Sequence, residues 1–184
     1  MQRSNGWKKS LALAVFFSTF GGGFTMSVAV AQETTQSERE RVIVEDVDAS
    51  NYRDDRSTPP ALIASYYNAI NRKEYARAYS YHPDGDFDDF IKGYKKAKRV
   101  RLALRNNAEI DRGVGASYAY QPLAIEAESE DGKKEVFGGC YKIYVSDAFV
   151  LYDGPFVPMT IANGSLKKSS LPLEKSVPKS CDPT

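Results

Sequence analysis

The chain has 184 residues, 42% of them hydrophobic, with 25 Lys and Arg set against 24 Asp and Glu. That length suits one domain of ordinary size, and the apolar fraction with balanced charge excludes a disordered chain. A net charge of +1 gives no general electrostatic attraction to nucleic acid or to an acidic membrane surface, so no nucleic-acid partner is expected.

The first 31 residues have the three parts of a secretory signal peptide. Arg3, Lys8 and Lys9 form a basic start, Leu11 to Val30 carries no charge, and Ala29-Val30-Ala31 gives a small-x-small site. Cleavage after Ala31 is expected, leaving no stable membrane span and a periplasmic or secreted product. The other reading is a retained anchor, because the uncharged run approaches the roughly 20 residues that cross a bilayer. Gly21-Gly22-Gly23 and the interspersed Ser and Thr weaken that span. Cleavage would remove three basic residues and no acid, leaving 22 basic against 24 acidic groups.

Residues 32–57 read as a flexible polar leader in which only Val42-Ile43-Val44 suits a short strand. The domain is expected over 58–168. Thr58 is a good N-cap and Pro59 suits a first helical turn. Leu62, Ile63, Tyr66, Tyr67 and Ile70 then recur at helical spacing, which predicts a helix over 59–71. A second helix is expected over 72–81, and His82-Pro83-Asp84-Gly85 breaks it. A third is expected over 86–97, with Phe87, Phe90, Ile91 and Tyr94 on one side. Its acids lead and its lysines trail, as the helix dipole favours.

From residue 99 the period changes to two. Val100, Leu102 and Leu104 should point inward, with Arg99, Arg101 and Arg105 outward, on a half-buried antiparallel strand. Further strands are expected over 116–128, 134–146 and 156–166. Asp131-Gly132 marks a hairpin, and Gly138-Gly139 a bend or close backbone approach. A Pro/Ser-rich tail, 169–184, follows. Cys140 and Cys181 are expected to form a disulfide that ties it back, two free thiols being the alternative. The order argues an α+β fold: three helices packed on a curved antiparallel sheet.

The run Tyr67-Asn68-Ala69-Ile70 with Tyr75, Ala78 and Tyr79 resembles the helical opening of the nuclear transport factor 2-like (NTF2-like, cystatin-like) superfamily. Phe87 to Tyr94 resembles its third helix. Phe137-Gly138-Gly139-Cys140-Tyr141 and Gly154-Pro155-Phe156 resemble the sheet of exported bacterial members. The resemblance covers about 59–168. It implies a cone, with an apolar pocket at the open end of the sheet. It does not imply an activity, since the superfamily holds ketosteroid isomerases, polyketide cyclases, dehydratases and non-catalytic binding domains.

The residues themselves offer little catalytic chemistry. His82 is the only histidine, and its turn-like setting reads as an exposed loop. Asp84, Asp86, Asp88 and Asp89 read as an acidic helix start, since their spacing does not fit an EF-hand. There is no C-x-x-C and no zinc set, so neither metal nor cofactor is expected. Gly113-Val114-Gly115 lacks the third glycine of a dinucleotide loop. Lys95, Lys96 and Lys98 with the three arginines form the only local basic cluster and read as a solvated face. The tyrosines are the notable set, and Tyr66, Tyr94 and Tyr118 are the candidate ligand-binding residues, stacking on a ring and orienting it with hydroxyls. The expectation is an exported, non-catalytic domain that binds a small apolar or aromatic ligand or an envelope protein, with a homodimer open. The alternative is an isomerase- or cyclase-like enzyme using a Tyr and a carboxylate. Glu126 and Glu128, which point opposite to Ile125 and Ala127, argue against it.

Overall fold

The computed structural model describes residues 41–112, 117–145 and 157–181. The expected signal segment, the leader up to residue 40, Gly113-Val114-Gly115 and Gly154-Pro155-Phe156 lie outside the described residues. The elements are β1 (Val42–Glu45), α1 (Pro59–Asn71), α2 (Tyr75–Tyr81), α3 (Phe87–Tyr94), β2 (Ala97–Arg105), β3 (Glu109–Arg112), β4 (Ser117–Ser129), β5 (Lys134–Val145) and β6 (Thr160–Ser169). A short 3-10 turn, Leu173–Ser176, follows. Three helices and an antiparallel sheet of six strands, among the described residues, make the fold α+β. One strand, β1, precedes the helices.

Helix α1 starts as its sequence dictates. Thr58 is extended, and its hydroxyl accepts from the Ala61 N–H at 3.3 Å. The helix ends where Lys73 takes the left-handed φ of 60°. Every residue from Ala61 to Asn71 is buried, so the helix has two covered sides. Its apolar side lies on the sheet. Its polar side carries Ser65, Asn68 and Asn71, which grip the preceding chain. The Asp55 N–H donates to Ser65 Oγ at 2.8 Å, and Asn68 Nδ2 donates to the Asp48 and Asn51 carbonyls. Asn71 Nδ2 donates to Val47 O and Val100 O, linking that chain to β2. The described part of the expected flexible leader, 41–57, is therefore fastened to the domain. Buried amides need such partners, and the backbone of 46–55 supplies them.

The strand order is β1-β2-β4-β5-β6, with β3 also paired to β4. Irregular register near Ala97/Arg99 and Lys142/Ile143 bends the sheet. Val100, Leu102, Leu104, Ala119, Leu123, Tyr141 and Ile143 pack on α1 through Leu62, Ile63, Tyr66, Tyr67 and Ile70. This is the inward set that period-two reading expected on β2. Phe137 is only half-buried.

The outer face is covered too. Ala103 and Ala124 are buried beneath Leu173 and Val177 of the tail. Arg105 Nε donates to Pro178 O at 2.8 Å, and Asn107 Nδ2 to Lys179 O at 3.0 Å. A Cβ on Gly138 would meet Ser176 O at 2.0 Å, so only glycine lets the tail lie this close. Cys140 and Cys181 are disulfide-bonded, with Cα atoms 5.9 Å apart, as expected. The outward arginines are engaged: Arg101 pairs with Glu126 at 3.3 Å and Arg99 with Asp48 at 3.4 Å.

Candidate functional site: a buried cluster of phenols

Consecutive residues of α1 begin the site. Tyr66 and Tyr67 are 0% and 1% exposed, with rings edge to face at 4.8 Å. The Tyr66 hydroxyl meets that of Tyr94, from α3, at 2.6 Å. The Tyr67 hydroxyl is hydrogen-bonded to that of Tyr141, from β5, and their rings are stacked at 6.4 Å. Phe90 completes the set, 5.1 Å from the Tyr94 ring and 6.5 Å from Tyr66.

A phenol donates one proton and accepts on two lone pairs. In each pair one hydroxyl donates to the other, so one proton per pair has no acceptor among the described residues. Burial raises the pKa of Tyr66 and Tyr67 well above the ordinary phenol value, and neighbouring phenols push the same way. Tyr94 and Tyr141 are also raised, chiefly by burial. All four are therefore protonated at neutral pH and act as donors, not bases.

No buried carboxylate accompanies them among the described residues. The buried polar residues among those described are Ser65, Asn68, Asn71, Ser117 and Gln121. Glu126 and Glu128 lie on the outward side, paired with Arg101 and Lys98. His82, expected in an exposed loop, is half-buried instead, because Nδ1–H donates to Ile161 O at 2.9 Å. Its ring lies edge-on to Tyr66 at 6.2 Å.

Helix α3 covers the cluster lightly. Asp86 caps it, accepting from the Asp88 and Asp89 N–H groups, which accounts for the acids at its start. No residue of α3 is fully buried, and Phe87 is 37% exposed. It leans on α2 through Tyr79, whose ring meets Phe87 and Phe90 at 5.2 and 5.5 Å. No group of His, Cys, Asp and Glu among the described residues is placed to hold a metal ion.

Tyr66 and Tyr94 are thus brought together, and Tyr118 is not. Ala119 faces α1, so strand alternation sends its neighbour Tyr118 to the opposite face. There it packs against Tyr144 at 6.0 Å, with Lys142 Nζ 4.2 Å from its ring centre. Tyr67 and Tyr141 take the place that Tyr118 was expected to fill. The available signal was phase: Tyr141 shares the inward register of Ile143, whereas Tyr118 is one residue out of step.

Comparisons with protein-family models, with curated proteins and with solved structures find no match to this chain.

Proposed function

We propose that this is an exported NTF2-like domain that binds, and does not transform, a small neutral ring-bearing ligand beneath α3. The observation that carries this reading is the phenol cluster, in which two hydroxyl protons have no acceptor, and no buried carboxylate stands beside them, among the described residues. An oxygen on an uncharged ligand would accept from the Tyr66–Tyr94 pair, while Phe90 and the tyrosine rings would pack on its body. A proton-abstracting base, which an isomerase or cyclase needs in reach of its substrate, has no buried candidate among the described residues. Three helices followed by long antiparallel strands support the NTF2-like reading and, with it, a pocket under the curved sheet. The disulfide supports export, and no described helix is long and apolar enough to cross a membrane.

The test uses 2-acetylnaphthalene, a neutral aromatic ketone. It should bind saturably, and Tyr94→Ala should weaken binding roughly tenfold, the loss of one hydrogen bond and a ring contact. The variant should stay folded, since Tyr94 is not a fully buried residue. Turnover of a cyclic ketone, abolished by changing Asp86 or Glu126, would replace this reading with the enzyme.

A further inference from the structure

A second site stands apart from the phenols, at the junction of β2 and β3. A cleft of about 450 Å³ opens there between Thr58, Pro59 and Pro60 on one wall and Asn106, Asn107 and Glu109 on the other. That volume lies in the range of small-molecule sites. The first turn of α1 brings no free backbone N–H to it. Pro59 and Pro60 have no N–H, the Ala61 N–H is held by Thr58 Oγ1, and the Leu62 N–H by Thr58 O. The usual anion-binding property of a helix N-terminus is therefore spent.

Acceptors, by contrast, are in surplus. Two buried side-chain oxygens, Asn107 Oδ1 and Gln121 Oε1, have no hydrogen-bond partner among the described residues. Asn107 lines the cleft; Gln121, on β4, does not, and meets this junction only through its bond to Arg105 O. Asn107 Nδ2 donates to Lys179 O, and Gln121 Nε2 donates to Arg105 O and Pro122 O. Because carbonyls only accept, these bonds fix the amide orientations and turn both oxygens away from them. Glu109 lines the same cleft, and no cation pairs with it among the described residues. Among the described residues, no lysine or arginine lines the cleft.

We propose that this cleft binds a primary alkylammonium group, with Glu109 as its counter-charge, Asn107 Oδ1 as its acceptor, and the rings of Pro59 and Pro60 against its alkyl stem. Asn106 and Glu109 are exposed, whereas Asn107 Oδ1 is closed to solvent, so binding requires the exposed side chains to yield. The site is independent of the phenol cluster. The group has two sources, a free amine or a lysine side chain of a peptide.

Amide NMR titrations of the purified chain, with n-butylammonium, with Nα-acetyl-lysine methylamide and with butyrate, test it. Either amine should give saturable shifts confined to residues 57–62 and 105–110 and to the Asn107 side-chain amide; the tighter of the two identifies the source. Glu109→Gln should weaken binding roughly two- to fivefold, the range for a screened charge pair. The proposal is overturned if neither amine saturates, if butyrate binds as well, or if Glu109→Gln leaves affinity unchanged.

Discussion

At the residue scale, the tyrosines set the chemistry through burial. Tyr81 shows the effect on α2: it is fully buried, its hydroxyl bonds Asp54 Oδ1 at 2.5 Å, and desolvation pushes its pKa up to about 12. An unfolded chain holds its phenols near 10. Above that value the unfolded state loses protons first, so the folded state binds more protons and stability falls as pH rises. Tyr66 and Tyr67 act in the same direction. The stability contributed by these groups is thus fully present below about pH 10 and is lost as pH climbs towards 12. Urea midpoints should hold steady from neutral pH to about 10 and drop beyond it, with phenolate absorbance appearing together with unfolding. Phenolate that appears before any loss of structure would contradict the burial. At this scale the sequence was legible where periodicity was strong. Leu62, Tyr66, Ile70, Leu102, Leu104, Tyr141 and Ile143 all reach the core. Tyr118 was expected beside Tyr66 and Tyr94 but packs with Tyr144 on the opposite face, because aromatic character alone does not reveal which face of a strand a residue takes.

At the element scale, the outer face of the sheet shows what local patterning hides. Alternation on β2 marked Ala103 as an outward residue, yet it is buried because the tail crosses it. That contact joins residues some 70 positions apart, such as Arg105 and Pro178 with a separation of 73, and no local period encodes it. Strand β3 was missed for a related reason: its four residues, Glu-Ile-Asp-Arg, are all exposed and its pairing to β4 is the only thing that makes it a strand. Gly138-Gly139 did signal a close approach, and it occurs at both: a Cβ on Gly138 would meet Ser176 O of the tail and one on Gly139 would meet Ser165 O of β6. Gly138→Ala should unseat the tail at Ser176 and cost about 1–3 kcal/mol, as overpacking does. Trypsin should cut faster after Lys175 in that variant. Unchanged cleavage and an unchanged denaturant midpoint would mean that the tail does not rest on this glycine.

At the scale of the whole molecule, α1 sits between two layers. The sheet covers one side, and the chain of 46–57 covers the other through Ser65, Asn68 and Asn71. The tail forms a further layer behind the sheet and is locked by Cys140–Cys181, whose sequence separation is 41. Closing a loop of that size restricts the unfolded chain by about 4 kcal/mol. Replacing both cysteines with serine should lower the stability measured in denaturant by an amount of that order, and reductant should do the same to the native chain. Identical midpoints with and without reductant would contradict the bridge. Helix α3, none of whose residues is fully buried, lies over the phenol cluster, and the proposed ligand would enter beneath it. The most direct measurement is a set of intermolecular NOEs between 2-acetylnaphthalene and ring-labelled tyrosines. The account predicts contacts to Tyr66 and Tyr94 and none to Tyr118; contacts at Tyr118 and Tyr144, or none at any tyrosine, would contradict it.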